Sequence, residues 1–352
     1  MQPATPAQHD WQALNEAITH HQADVHPLTA TLAVNYRCNS KCTYCYIWQH
    51  HVENTLLAEL RRAIDQLARL GVPLISLTGG EPFLHPDLPE IVAAVRASGR
   101  VCSITTNGLL LRPAAVRGVA DAGLNSLVIS LDTIDPALYQ RIRGVPLRKV
   151  LQGLNVALAE RERAPALRVS INCVLSRANL HAVVELVEFC RRADVSIGFQ
   201  PLHPAFASGR QEIPDLLFEP GDRDELQRLI DRLVEMQARG YRITSPKAYL
   251  AGFADYLVAR KLPDGFRCNA GFVTIALDHQ LNVRSCWSMP PLAGRGVDLV
   301  ELWHSDAYRE RRGQMLALQC PGCWLRCHTE ERSSDWIDSL FKEAATSEWE
   351  HE

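Results

Sequence analysis

An alternation of short apolar runs with longer amphipathic runs between residues 31 and 200 restricts the fold of this 352-residue chain more than any other feature. The apolar runs are rich in β-branched residues and begin about 33 residues apart, which predicts repeated βα units with right-handed crossovers. Their nearly continuous apolar character indicates strands buried on both faces of a parallel sheet. The predicted strands are Thr31–Asn35, Leu74–Thr78, Val101–Thr105, Ser126–Leu131, Arg168–Val174 and Ser196–Gln200.

The amphipathic runs between the strands predict helices that place their apolar residues on one face. Six βα units are too few to close an eight-stranded barrel. The predicted fold is therefore α/β, a partial (β/α)6 TIM-like barrel that binds ligands at the carboxyl ends of its strands. The predicted helices are Leu56–Leu70, Leu88–Ser98, Pro113–Ala122, Leu147–Glu160 and Leu180–Arg192.

The alternation stops after residue 200. Residues 201–222 are rich in Pro, Gly and Asp and predict a loop, and helices are predicted over Asp224–Gly240 and Pro246–Arg260. A hairpin of Phe272–Leu277 and Leu281–Ser285 lies in a cysteine-rich region. The predicted domains are an extension (1–30), the barrel core (31–222), a helical linker (223–267), a small cysteine-rich domain (268–330) and a helical tail (331–352).

Composition excludes several classes of protein. A chain that is 47% hydrophobic and 22% charged can form a sizeable core, so it is not a disordered chain. Its formal net charge of −3 lacks the basic excess of a nucleic-acid-binding protein. No apolar run approaches the ~18 residues that span a bilayer, and residues 1–30 show no secretory signal. We therefore expect no membrane or nucleic-acid partner and a cytoplasmic location.

Cysteine is the most informative residue type in the composition. Eight of the 11 cysteines form two groups, whereas Cys102, Cys173 and Cys190 stand alone in apolar contexts and are predicted to be buried. Because no signal peptide is found, clustered thiols indicate metal or redox chemistry rather than disulfides.

The first group, Cys38, Cys42 and Cys45, directly follows the first predicted strand. Three thiolates on one loop can hold a 4Fe–4S cluster and leave one iron without a protein ligand, open to a substrate or cofactor. A zinc site is the alternative, with His50 or His51 as the fourth ligand.

The CxxxCxxC spacing, with Tyr44 just before the last cysteine, resembles the radical S-adenosylmethionine (SAM) superfamily over about residues 30–200. The second strand of that family ends in Gly-Gly-Glu, which is matched here by Gly79, Gly80 and Glu81. The resemblance implies that this segment binds the SAM amino group. Glycines would let the backbone approach the ligand, and Glu81 would accept from its ammonium.

Polar residues at the later strand ends match the family less closely. The resemblance implies that Ser130 and Asp132 face the SAM ribose or the substrate, with Asn107 and Asn172 nearby, and that Gln200 lies near the adenine. Each is also a common turn or cap residue.

Three candidate acid–base groups follow from the same strand ends and from the hairpin. They are Asp132, His203 and Asp278, of which Asp278 is also expected in the hairpin turn.

The second group brackets the predicted hairpin and resembles the SPASM and twitch modules of radical SAM enzymes. Its five cysteines fall short of the seven of SPASM, so one auxiliary 4Fe–4S cluster is expected, with one thiol to spare. Two clusters, or a zinc ribbon with four cysteine ligands, are the alternatives. Trp287, Trp303 and Trp324 are interpreted as core packing. The five thiols are Cys268, Cys286, Cys320, Cys323 and Cys327.

The resemblance implies reductive cleavage of SAM to a 5′-deoxyadenosyl radical that abstracts hydrogen from a natural-product precursor, with an electron donor such as flavodoxin or ferredoxin. The auxiliary cluster would assist oxidation or substrate binding. The roughly 30 residues before the first strand are too few for a leader-binding domain, which favours a small molecule or a peptide delivered by a partner protein. The alternatives are a ribosomal-peptide maturase acting with a separate leader-binding partner, and a non-catalytic zinc-binding, iron–sulfur-binding or redox-sensing protein.

Overall fold

The computed structural model describes residues 26–50, 52–203, 214–264 and 266–325, and a parallel sheet forms its centre. Six strands run parallel in the order β6-β5-β4-β3-β2-β1, and no ladder joins β6 back to β1 among these residues. The predicted α/β partial barrel is therefore confirmed. The strands are β1 (Thr29–Asn35), β2 (Leu74–Gly79), β3 (Val101–Thr106), β4 (Ser126–Ser130), β5 (Arg168–Leu175) and β6 (Ser196–Pro201).

Helices cover the outer face of the sheet and bury their apolar stripes against it. In α1, for example, Leu60, Ile64 and Leu67 lie one turn apart and are fully buried, which explains why this segment is helical here. The isolated thiols of Cys102, Cys173 and Cys190 are buried in the same core, as predicted. The helices of the barrel are α1 (Leu57–Arg69), α2 (Leu88–Ala97), α3 (Pro113–Asp121), α4 (Pro136–Arg143), α5 (Leu147–Arg163) and α6 (Val183–Arg192).

Helix α4 was not predicted, although its sequence carries both end signals. The side chain of Asp135 accepts a hydrogen bond from the backbone N–H of Leu138, and Pro136 occupies the first turn. Gly144 ends the helix in the left-handed conformation, with φ of 69°.

The inner face of the sheet differs from the prediction. In β5 the side chains of Ile171 and Cys173 are buried, whereas those of Ser170 and Asn172 between them are half-buried. Strand β5 is thus not buried on both faces, because its second face points into the mouth of the barrel and carries small polar residues, whereas β3 is buried at every residue except Thr105.

The predicted hairpin is present and extends the barrel sheet. Strand β7 (Thr274–Leu277) pairs in parallel with β1, and β8 (Val283–Arg284) pairs antiparallel with β7. The hairpin begins later than predicted because residues 270–273 form a helical turn, α10 (Ala270–Val273). The cysteine-rich region thus shares a sheet with the barrel, while the domain boundaries given above stay predictions.

One predicted helix, Pro246–Arg260, is divided in two. The structure has α8 (Lys247–Ala251) and α9 (Phe253–Ala259), separated at Gly252. The indole ring of Trp324 fills the space at Gly252 that a Cβ would occupy, so the chain adjusts around that ring. The remaining helices are α7 (Arg223–Ala238), α11 (Leu299–His304) and α12 (Asp306–Leu316).

Within the described ranges, no helix is long and apolar enough to cross a membrane. The predicted tail helix, Cys327 and most of the predicted extension lie outside the described residues.

Candidate active site

The loop of the first three cysteines rests on the C-terminal end of α4. The backbone N–H groups of Thr43 and Lys41 donate to the carbonyl oxygens of Ile142 (2.9 Å) and Arg143 (3.2 Å). The hydroxyl of Ser40 also donates to the Arg143 carbonyl at 2.8 Å. Because helix C-termini leave carbonyls unpaired, the end of α4 gives the loop a ready set of acceptors.

The glycines after β2 hold the same loop from its other side. The N–H groups of Gly80 and Glu81 donate to the carbonyls of Asn35 (2.9 Å) and Arg37 (2.7 Å). A Cβ at Gly79 would overlap the Asn35 oxygen, and one at Gly80 would overlap the Arg37 oxygen. In the structure, then, the close approach that these glycines allow is to the end of β1 and to Arg37, directly before the cysteine loop.

A buried ion pair supports the loop from beneath. The Arg143 guanidinium donates to both Asp132 oxygens, at 2.6 and 2.9 Å, and the Tyr44 hydroxyl donates to Asp132 at 2.9 Å. Burial works against the Arg143 charge, but the Asp132 carboxylate outweighs it and holds the pKa of Arg143 well above its usual range. Arg143 also lies beside Cys42, with its Nη1 3.8 Å from the Sγ atom.

Glu81 is enclosed by the ends of β2 and β3. Its carboxylate accepts from the Thr106 hydroxyl (2.7 Å) and from the N–H groups of Asn107 (2.7 Å) and Phe83 (3.1 Å). Burial raises the pKa of Glu81 to about 7, and the three hydrogen bonds oppose that rise. The Asn107 amide donates to Asn39 Oδ1 at 2.8 Å, so this network also reaches the cysteine loop.

A cavity of about 580 Å³ opens at the carboxyl ends of the strands, and each of the six barrel strands contributes one small polar side chain to its wall. Three of these belong to the predicted cofactor site, namely Ser130, Asn172 and Gln200. The other three are threonines that the sequence reasoning missed, although they alternate with buried residues. They are Thr31, Thr78 and Thr105.

Residues of the cysteine loop and residues of the cysteine-rich region both line the cavity. Tyr44, Cys45 and Arg143 contribute from the loop and its support, and Gly79 contributes from the end of β2. The C-terminal contribution comes from residues beside three of the later cysteines: Trp287 follows Cys286, Pro321 follows Cys320, and Leu325 lies two residues after Cys323. The cavity therefore lies between the two cysteine groups.

The three acid–base candidates occupy different environments. Asp132 is fully buried behind Tyr44 and Arg143. Asp278 holds the hairpin turn, because its carboxylate accepts from the N–H groups of Gln280 and Asn282, both at 3.0 Å, and from the Arg284 side chain. Neither Asp132 nor Asp278 is among the described residues that line the cavity. Gly80, Glu81 and Asn107 do not line it either.

His203 does line the cavity. Burial, aided by the charge of Arg260, lowers the pKa of His203 to about 4, so the ring is neutral at physiological pH. A hydrogen bond to the Gly322 backbone links it to the cysteine-rich region.

Four later thiols gather where three segments meet. Burial raises the pKa of Cys268 to about 12, and the charges of Cys286 and Cys320 add to that rise. Burial also raises the pKa of Cys323, and the charges of the other three thiols likewise add to that rise, so the four thiols are near enough to interact electrostatically.

The first loop offers a suitable donor set for a 4Fe–4S cluster. Its three thiols form no disulfides, and burial raises the pKa of Cys38 to about 12 and of Cys45 to about 11. Among the described residues, no three His, Cys, Asp or Glu side chains converge as the ligands of a single ion do. A 4Fe–4S cluster does not need that convergence, because each thiolate binds a different iron.

Comparison with known proteins agrees with this chemistry. The profile of the radical SAM superfamily matches residues 32–190. A GTP 3′,8-cyclase of Sulfurimonas denitrificans is 32% identical over 251 residues, which cover 67% of this chain and 70% of that protein. The chain belongs to the radical SAM superfamily. Other relatives include the GTP 3′,8-cyclase of Chlorobaculum tepidum, 34% identical over 179 residues that cover 49% of this chain and 53% of that protein.

This radical SAM protein spans only 53–56% of the length of three of the relatives that it matches. Solved structures share the fold. Streptococcus suis SuiB bound to the precursor peptide SuiA has a TM-score of 0.68 at 18% identity and covers 94% of this chain and 79% of its own. The enzyme anSMEcpe with bound AdoMet has a TM-score of 0.63 at 16% identity, with 92% and 97% covered.

Proposed function

We propose that this radical SAM enzyme abstracts hydrogen from an uncharged natural-product precursor bound between its two cysteine groups. The observation that carries the proposal is the cavity, which has Cys45 in one wall and the neighbours of Cys286 and Cys320 in another. Such a position would put one substrate within reach of both sites.

The residues of the cavity wall suit SAM. Cys38, Cys42 and Cys45 would hold a 4Fe–4S cluster, which supplies the electron that cleaves SAM to methionine and a 5′-deoxyadenosyl radical. Ser130, Asn172 and Gln200 offer hydroxyl and amide groups for the ribose and adenine.

The ends of SAM's methionine part need charged or carbonyl partners. Because Glu81 is buried and already accepts three hydrogen bonds, we assign the ammonium to the backbone at Gly79, which lines the cavity. Arg143 also lines the cavity and would pair with the SAM carboxylate through the part of its guanidinium not facing Asp132.

The charge of the cavity argues against a nucleoside triphosphate. Arg143 is the one permanently charged side chain among the described lining residues, and it pairs with Asp132 and, in this proposal, with the SAM carboxylate. A triphosphate buried there would find no further cation among the described lining residues, and burying its charges unpaired is costly. Tyr36, Ile47, Leu202 and Trp287 give the wall an apolar character instead. These features favour a neutral small molecule or peptide segment over the GTP named for the curated relatives.

We assign one auxiliary 4Fe–4S cluster to four of the five later thiols, of which the structure describes Cys268, Cys286, Cys320 and Cys323. Four thiolates saturate such a cluster, which suits a site that accepts an electron from a substrate radical. His203 is held against Gly322, between two of these thiols, and would position that segment beside the substrate.

Iron counting and product analysis test the proposal together. Anaerobically reconstituted enzyme should contain about eight irons, which corresponds to two 4Fe–4S clusters. With SAM and a reductant it should release 5′-deoxyadenosine. Bound zinc with no iron would instead support the alternative of a non-catalytic zinc-binding protein. If GTP were consumed and stimulated SAM cleavage, the substrate class proposed here would be wrong.

A further inference from the structure

The cysteine loop has two sides with different surroundings. Tyr44, Cys45 and Tyr46 line the cavity. Earlier in the loop, Arg37, Asn39 and Lys41 alternate with the more enclosed residues and are exposed to solvent. A cluster held by this loop would therefore lie between the cavity and the outer surface.

The outer side is unusually basic. Residues 36–50 and 136–159 together contain six Lys or Arg and no Asp or Glu, in a chain with 37 basic and 40 acidic residues. Five of the six are exposed, and no ion pair involves them within the described ranges. We call these five residues the basic face: Arg37, Lys41, Arg141, Arg148 and Lys149.

Backbone contacts bring the two segments together. Lys41 donates to the Arg143 carbonyl, and its Cβ lies 3.0 Å from the place that a Cβ on Gly144 would take. Arg141 lies two residues before Arg143, and α5 begins three residues after Gly144, so Arg148 and Lys149 occupy its first turn. The sixth cation, Arg143, is buried beneath them and paired with Asp132.

We propose that the basic face docks an acidic one-electron carrier protein that reduces the cluster of the cysteine loop. This inference rests on the proposed function, because SAM cleavage consumes one electron that must come from outside. The carrier's redox centre loses one electron and the cluster gains it, with no bond made or broken. Positive charge on the exposed side of the cysteine loop would attract and orient an acidic carrier.

Charge reversal tests the docking directly. The variant Arg141→Glu/Arg148→Glu/Lys149→Glu leaves the loop residues and the cavity wall unchanged. Its association rate with a flavodoxin, measured by stopped flow on the holoenzyme, should fall at least ~10-fold at low ionic strength. The difference from wild type should shrink below ~2-fold in 0.5 M salt, where charges are screened within a few ångströms.

A matched control variant tests whether the change in net charge alone slows association. Arg61→Glu/Arg192→Glu/Arg228→Glu changes the same number of exposed charges on α1, α6 and α7, and should alter the rate less than ~2-fold. If the control slows binding as much as the test variant, or if the test variant binds like wild type, the basic face is not the docking site.

A second measurement separates this inference from the proposed function. With dithionite as reductant the test variant should form 5′-deoxyadenosine at the wild-type rate, whereas with flavodoxin it should be slow. Wild-type enzyme inactive with both reductants would contradict the proposed function and leave the binding result to be judged separately. If the triple variant does not fold, Lys149→Glu alone is measured in the same binding assay and should show a smaller loss of the same kind.

Discussion

The two cysteine groups differ in how the chain builds them. The first is one eight-residue loop supported by α4 and by the ends of β2 and β3. The second takes its described thiols from three separate segments, before α10, after β8 and after α12. In the proposed function the single loop would supply three cluster ligands beside the cavity, whereas four ligands of the second cluster would come from separate segments. The comparison suggests that chemistry starts at the first site and that the second site supports it.

Loss of the thiols should have the largest and most unequal effect. Cys42→Ala should abolish 5′-deoxyadenosine release under reductant, because two thiolates cannot hold the cluster in place. Cys268→Ala should spare measurable SAM cleavage while lowering the iron content. The readout is chromatographic quantification of 5′-deoxyadenosine.

Cys190→Ala is the control, since this thiol is buried on α6 away from both groups and should leave the iron count unchanged. Equal loss of SAM cleavage in Cys42→Ala and Cys268→Ala would break the distinction between the two sites.

Removal of Asp132 should weaken the support of the first site. Asp132→Ala leaves the Arg143 charge buried without its partner, which costs about 3–5 kcal/mol of unfolding free energy. Denaturant titration of the metal-free protein measures the loss. Asp121→Ala removes the partner of exposed Arg163 and should cost below ~1 kcal/mol. Similar losses of unfolding free energy in Asp132→Ala and Asp121→Ala would show that the buried ion pair stabilises the protein no more than an exposed pair does.

The pH dependence of stability should report on Glu81. Because its pKa rises from 4.5 unfolded to about 7 folded, the folded state binds more protons between these values. The free energy of unfolding should therefore fall as pH rises through this window, by up to about 3 kcal/mol. Glu81→Gln should flatten that part of the profile measured by urea titration, whereas Glu90→Gln, at an exposed site on α2, should not. An unchanged slope in Glu81→Gln would assign the dependence to other groups.

A smaller change should act on the second site alone. In Gly252→Ala the new methyl group overlaps the Trp324 ring, and overpacking of this kind costs about 1–3 kcal/mol. Thermal unfolding should show the loss, while SAM cleavage continues. Gly313→Ala on α12 meets no atom within 4 Å and should not destabilise. If Gly252→Ala stopped SAM cleavage, the two sites would be coupled more tightly than this comparison allows.

Features that depend on local spacing could be read from the sequence. The strands agree within a few residues; β5, for instance, spans Arg168–Leu175 against a prediction of Arg168–Val174. The cysteine loop and the glycines after β2 were found because short spacings specify them. Three thiols on one loop need no knowledge of the rest of the fold.

Features that depend on contacts between residues far apart in the chain could not be predicted from the sequence. Arg143 looks like an ordinary surface residue in the sequence, yet long-range contacts bury it beside Asp132 and Tyr44. The same contacts place Asp132, which was predicted as an acid–base candidate, in a buried position outside the described lining of the cavity. The break at Gly252 likewise depends on Trp324, which is 72 residues away. The alternating threonines of the cavity carried a local signal that a search for apolar runs overlooks.

The pairing of β1 with β7 also sets the earliest point during synthesis at which the sheet can be completed. Thr29 lies opposite Thr274, so one edge of the first strand has no partner until 245 further residues have left the ribosome. An edge strand that waits this long invites wrong pairing, and closing such a distant contact slows folding. The strand leads within three residues to Cys38, so the strand that carries the loop proposed to bind iron gains its second neighbour only after residues 274–277 have been made.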